Sequence, residues 1–326
     1  MKSIIIYHSM TCNTKLIAKA IQKGIGGNCE LAGMNETEPE SLVNYDLIGI
    51  GSPVIGYKEP PNVTGFMKNL PQLDGKYGFT FCTHGTCPCG FVAEMVAQMR
   101  DKGLTVTGWN DWFGSAFMPY IDRPYFTDGH PDEIDIKEAE EFGKEVFKRT
   151  ELISRGAVEL IPELPEKAEY DKIYNTKPLP DELPEDLGIP QSDWDRLKPQ
   201  LISEKCILCG QCADHCPNKA ITMDDSSILI SHEACGPCHV WFCEQLCPAG
   251  AIKVDWEPME IRAESTRKYF NLLAESMMKY KELRRFRCLF TPEEEGTKAP
   301  LSKRTYHPKI KVKDGIVSFC DEPTMK

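Results

Sequence analysis

Two patterns of apolar residues alternate through the first 150 positions of this 326-residue chain. Near-continuous apolar runs of strand length occur at Ser3–His8, Tyr45–Gly51, Tyr77–Cys82 and Leu104–Thr107, with a weaker one near Asn28–Leu31. Between them lie Thr14–Lys23, Val63–Leu70, Phe91–Arg100 and Ile134–Glu151, where apolar residues return every three or four positions. The first pattern suits strands buried on both faces, and the second suits helices laid against them. Their alternation predicts an α/β domain with a doubly wound parallel sheet, whose ligands gather at the carboxyl ends of the strands.

The pattern breaks at Ser154. From there to Pro199 seven prolines and many acidic residues separate short apolar fragments. Proline removes donors and disfavours helix before it, so this stretch reads as a strap or linker, with the apolar fragments favouring a partly packed strap. Beyond the cysteine-rich residues 200–255, a helix is expected over Ile261–Arg285. A hairpin is expected from "KIKV" and "GIVSF", turning through Asp314-Gly315. The expected division is 1–153, 154–199, 200–255 and 256–326.

Residues 200–255 carry an internal repeat. Cys206, Cys209, Cys212 and Cys216-Pro217 follow C-x2-C-x2-C-x3-C-P, and Cys216–Ile221 ("CPNKAI") matches Cys247–Ile252 ("CPAGAI"). A tight loop lets three thiolates grip one face of an iron–sulfur cube while the cysteine before proline faces away. Four-thiolate zinc sites usually pair two C-x2-C units, which this run fits poorly. The segment resembles bacterial-type ferredoxins with two [4Fe-4S] clusters, a small α+β module. The resemblance implies Cys206, Cys209, Cys212 and Cys247 as ligands of one cluster and Cys216, Cys235, Cys238 and Cys243 as ligands of the other. The second half departs from the pattern, because "HVWF" puts four residues between Cys238 and Cys243. The larger loop is expected to bring Trp241 toward that cluster.

At the other end, "SMTCNT" (Ser9–Thr14) follows the first expected strand and opens the first helix. Its hydroxyls, the Asn13 amide and the free helix N–H groups suit a phosphate dianion. Neither the Walker nor the G-x-G-x-x-G spacing is present. The region resembles flavodoxins, whose loop at this place runs Ser/Thr-x-Thr-Gly-x-Thr; Ser9, Thr11 and Thr14 match, Asn13 falls at the unrestricted position and Cys12 replaces the glycine. The resemblance implies a flavodoxin-like fold binding FMN noncovalently. Ser9, Thr11, Cys12, Asn13 and Thr14 would lie at the phosphate. Ser52, Pro53, Val54 and Tyr57 would flank the ring system, and Thr83, His84 and Gly85 would sit in the second ring loop.

Cys82, Cys87 and Cys89 share that last loop with His84. Three readings stay open: buried inert thiols, a redox or substrate-attacking cysteine with Cys87 preferred and His84 as proton donor, or a further metal site. The stretch after Thr107 is long and aromatic, and is expected to be a loop, either a substrate wall or a packing surface.

The formal charge of −11, from 38 basic and 49 acidic residues, argues against a nucleic-acid partner. No run reaches 18 apolar residues, so no membrane span is expected, and clustered cysteines without a leader point to the reducing cytoplasm. A flavodoxin-like domain followed by a two-cluster ferredoxin resembles small fused flavodoxin–ferredoxin proteins of anaerobes and archaea. That resemblance implies electron transfer among low-potential donors, two [4Fe-4S] clusters and FMN, delivered to a redox protein partner or a small-molecule acceptor. An FMN-dependent reductase and a redox sensor or assembly subunit are the alternatives. Self-association is left open.

Overall fold

The computed structural model describes residues 1–116, 127–175, 191–236, 238, 241–262, 265, 268, 272, 287, 310–313 and 316–319. Two compact units emerge: residues 1–115 with 130–177, and 116–129 with 178–326.

The first unit is built on five parallel strands: β1 Ser3–Tyr7, β2 Cys29–Gly33, β3 Leu47–Pro53, β4 Tyr77–His84 and β5 Thr105–Phe113. They stand in the order β2-β1-β3-β4-β5. The helices α1 Asn13–Ile25, α2 Pro61–Asn69, α3 Phe91–Asp101 and α4 Glu133–Ser154 connect or flank them. Each strand shows both faces to a core. Ile4, Ile6, Ile48 and Ile50 join one apolar cluster with α2 and α3 residues, whereas Ile5, Leu47, Phe79 and Phe81 join the other with α1 and α4 residues. This accounts for the near-continuous apolar runs. Phe79 and Phe81 lie beside Gly49 and Gly51 in the register of β3 and β4, each ring filling the space a side chain on β3 would need.

The strand expected to end at Thr107 runs on to Phe113, so Trp109, Trp112 and Phe113 are strand residues and not loop. A register shift at Gly78/Phe79 lets β5 follow β4 to its end, pairing Cys82 with Asp111 and His84 with Phe113. Residues 117–126, the rest of that aromatic stretch, lie outside the described residues. Asp132 caps α4 by accepting from the Ile134 and Asp135 amides, and Asp135 Oδ2 lies 2.6 Å from His130 Nδ1.

The first part of the proline-rich stretch packs on this unit through α5 Lys167–Tyr170 and the turn Asp171–Asn175. Tyr170 is buried, with Leu164 and Tyr174 against the same cluster. The Tyr170 hydroxyl donates to the Cys89 carbonyl at 2.8 Å and accepts from the Ala93 amide at 3.0 Å. The Cys89 amide donates to the Tyr174 carbonyl.

In the second unit α6 Gln191–Arg196 precedes a compact repeat: β6 Gln200–Leu201, α7 Gln211–Asp214, β7 Ile221–Met223, β8 Ile228–Ile230, α8 Phe242–Leu246 and β9 Ile252–Lys253. β6 pairs with β9 and β7 with β8, both antiparallel. α9 Glu257–Glu260 follows. Most of the helix expected over Ile261–Arg285 lies outside the described residues. β10 Ile310–Lys313 and β11 Ile316–Phe319 pair as an antiparallel hairpin, with the expected turn residues Asp314-Gly315 outside the described set.

Candidate redox sites

Three loops leave the carboxyl ends of β1, β3 and β4, and each holds one non-glycine residue in the left-handed backbone region: Cys12 (φ 68°), Tyr57 (φ 69°) and Cys89 (φ 47°). Among the described residues of the first unit no other non-glycine residue does so. A side chain in this region costs energy, and such strain collects where a backbone shape is needed for binding. At Cys12 the angle is one that a glycine would adopt freely. At Tyr57 the preceding Gly56 is also left-handed, and Ile55 and Lys58 exchange backbone hydrogen bonds across the two, a tight reversed turn that leaves the tyrosine exposed.

The predicted phosphate-loop residues divide. Ser9, Thr11 and Cys12 stay half-buried at the loop surface, and Ser9 Oγ accepts from the Lys15 amide. Asn13 and Thr14 turn inward. Asn13 donates to the Ser115 carbonyl at 2.9 Å, and the Thr14 hydroxyl lies 2.8 Å from that of Thr83. The loop after β1 is thereby tied to the end of β4. Ser52 is fully buried and donates to the Pro53 carbonyl, Val54 takes its backbone partner from Thr83, and Gly85 opens the last loop.

His84 is buried, its Nε2 2.8 Å from Asp111 Oδ2, and Phe113 meets the imidazole edge-on at 4.7 Å. Asp111 escaped the sequence reading because it belongs to a strand extension that polar residues disguise. Cys82 is buried beside them. Burial, then Asp111 and Cys87, push its thiol well up. Cys87 Sγ and Cys89 Sγ lie 2.7 Å apart.

In the second unit Cys206, Cys209, Cys212 and Cys247 line one cavity with Leu201, Ile228 and Ile252. Burial, then Cys209, Cys247 and Cys206, push the Cys212 thiol up to about 11. Cys216, Cys235, Cys238 and Cys243 form the second group. Burial, then Cys238 and Cys216, push Cys235 up to about 11, and burial, then Cys238, Cys235 and Cys216, raises Cys243. Four crowded sulfurs of one sign can all be thiolates only around a cationic centre, so both groups fit a metal cluster.

The repeat extends to the sulfur environment. Lys219 and Gly250 occupy the same place in "CPNKAI" and "CPAGAI", and both are left-handed. Each turn aims the next amide back at its cysteine: Ala220 N–H donates to Cys216 Sγ at 3.3 Å and Ala251 N–H to Cys247 Sγ at 3.1 Å. Such bonds favour the electron-rich sulfur of a cluster.

Trp241 stands at the amino end of α8. The residue is left-handed (φ 39°), its Nε1 donates to the Leu197 carbonyl, and its ring packs with Leu197, Val254, Met259 and Trp256. Among the described residues that cluster contains no cysteine.

Two family models match separate parts of the chain. Residues 4–124 match the family model described as flavodoxin domain, and residues 199–222 match the 4Fe-4S binding domain. An uncharacterized protein of Methanocaldococcus jannaschii is 30% identical over 154 residues, covering 45% of this chain and 99% of the relative. Ferredoxin YfhL of Escherichia coli is 38% identical over 52 residues, 15% of this chain and 60% of that one. A flavodoxin structure from the domain Archaea aligns at 21% identity with a TM-score of 0.37, covering 46% of this chain and 99% of that chain. No helix among the described residues is long and apolar enough to cross a membrane.

Proposed function

This chain belongs to the fused flavodoxin–ferredoxin proteins, whose domains serve electron transfer, and we propose that it links two [4Fe-4S] clusters to an FMN, delivering electrons from low-potential one-electron donors to a partner. When bound, the flavin handles electrons in pairs and each cluster handles them singly, so one chain converts between the two. The cavity shared by Cys206, Cys209, Cys212 and Cys247 carries the reading, because it gathers three sulfurs of one loop with the last cysteine of the other. Cys216, Cys235, Cys238 and Cys243 hold the second cluster. The Ala220 and Ala251 amides set the electron density on two of the eight sulfurs.

Ser9, Thr11 and the backbone around Cys12 bind the phosphate. Asn13 and Thr14 hold that loop in shape from behind through Ser115 and Thr83. Ser52, Pro53, Val54 and Tyr57 with Thr83, His84 and Gly85 enclose the ring and exclude water.

Cys12 gives a direct check on the loop. Cys12→Gly removes the left-handed penalty of about 1–2 kcal/mol and is expected to keep or tighten flavin binding, whereas Cys12→Val adds branching there and is expected to weaken it about tenfold. Fluorescence titration of the flavin-free protein with FMN reads both. Equal affinities in the three proteins would remove Cys12 from the site.

The function itself is tested by anaerobic stopped flow. Clusters reduced by a low-potential donor should lose their electrons as flavin absorbance bleaches. A chain that retains both cofactors but shows no such transfer contradicts the reading.

Reduction of a small substrate is the second reading, and the buried His84–Asp111 pair favours it, since a carboxylate 2.8 Å from the imidazole can hold a proton at Nε2. Under it, His84→Gln abolishes turnover while flavin and iron stay bound.

A further inference from the structure

The sulfurs of Cys87 and Cys89 approach to 2.7 Å. Two thiolates on a tetrahedral zinc stand about 3.8 Å apart, as follows from a Zn–S bond of about 2.3 Å. A disulfide holds its sulfurs at about 2.05 Å. The observed separation is too short for two ligands of one metal and leaves only a small movement to a bond. The side chains are 1% and 5% exposed, which shuts out bulky reagents.

The loop keeps the pair in place. Pro88 restricts the backbone between the two cysteines, Cys89 is left-handed, and both of its backbone polar groups are bound by Tyr170 and Tyr174. Gly90 then caps α3, an eleven-residue helix whose amino end favours a thiolate nearby. Cys82 lies near Cys87, and burial, then Asp111 and Cys87, push its thiol well up.

We propose that Cys87 and Cys89 form a two-electron redox site that closes to a disulfide when a small peroxide enters and reopens with a dithiol. One sulfur takes an oxygen from hydrogen peroxide, breaking the O–O bond and releasing water, and becomes a sulfenic acid. The second sulfur displaces that oxygen as a second water. Two S–H bonds are lost and one S–S bond forms; each sulfur gives up one electron and each peroxide oxygen gains one. A dithiol such as dithiothreitol reverses the change by returning two electrons and two protons. The site depends on neither bound flavin nor clusters.

Trypsin releases residues 77–100 as one peptide holding Cys82, Cys87 and Cys89 and none of the eight cysteines assigned to clusters. The intact, cofactor-loaded protein is treated anaerobically with a few equivalents of hydrogen peroxide, alkylated in denaturant and digested. The expected peptide carries one alkyl group instead of three and is about 2 Da lighter than the sum of its reduced parts. It forms equally in Cys82→Ser, which then carries no alkyl group, at least about tenfold less in Cys87→Ser and Cys89→Ser, and disappears with dithiothreitol. Should either serine variant fail to fold, fragmentation of the wild-type peptide locates the bond, which silences cleavage between residues 87 and 89. Three alkyl groups after peroxide, a bond requiring Cys82, or protection of the reduced peptide region by added zinc would each overturn the proposal.

Discussion

Replacing Cys247 with serine is expected to remove about four of about eight irons, and an equal share of acid-labile sulfide, from the anaerobically purified protein. Cys247 stands 35 positions after Cys212 (247 − 212) yet lines the same cavity. Serine cannot replace the soft sulfur, and the three thiols that remain would crowd a pocket where burial already raises Cys212 to about 11. The damage should spread beyond the metal. The core here is Ile221, Ile228, Ile252 and Cys212 with other cysteines packed around them, so a bound cluster would be part of the packing. Flavin binding should stay near the wild-type level, because the loops proposed to hold it lie in the other unit. Iron analysis, sulfide analysis and FMN titration on one preparation give all three readings. Retention of eight irons would refute the ligand assignment.

Gly143→Ala is expected to destabilise the first unit by about 2–4 kcal/mol. A methyl on Gly143 would fall well inside the contact radius of the Ile21 carbonyl oxygen, and one on Gly24 would strike the Glu140 carbonyl oxygen. Both obstacles are backbone, so no rotamer change relieves them. The helices α1 and α4 would have to separate, loosening Ile17, Ile21, Ala139 and Val146, which they bury together. Because α1 begins at the candidate phosphate loop, its displacement should also weaken flavin binding. Thermal unfolding should start about 5–15 °C lower. A change below about 1 °C would mean that the helix contact is looser than the backbone distances indicate.

All five strands and four helices of the first unit were legible, β2 from the weaker run near Asn28–Leu31 and the other strands because burial on two faces writes an unmistakable apolar run. The end of β5 was not: Asn110 and Asp111 interrupt the apolar pattern, since they pair with the end of β4, where the sheet leaves the core for the site. Asp111 was lost with it, and so was the partner of His84. The left-handed angle of Cys12 was open in sequence because a cysteine can occupy it only if the surroundings enforce it. The spacing marked the eight cysteines and the ferredoxin resemblance divided them into two sets, of which Cys206, Cys209, Cys212 and Cys247 line one cavity. The length of "HVWF" tells that a loop is larger but not that the Trp241 ring packs with Leu197, Val254, Met259 and Trp256. The Cys87–Cys89 approach depends on Tyr170 and Tyr174, some 80 residues away in a stretch whose prolines hide its contacts.

The cavity that takes sulfurs from positions 206, 209, 212 and 247 also imposes a timetable on synthesis. At about 5–20 residues per second the ribosome needs about 2–7 s to add Cys247 after Cys212. Through that interval three thiols are present and the fourth has not been made. Cys243, the last of the other group, precedes Cys247 by four positions, so both sets of sulfurs become complete almost together. On the proposed ligand sets, a nascent chain would complete both within four residues of each other, and iron loading would wait until nearly the whole repeat has been translated.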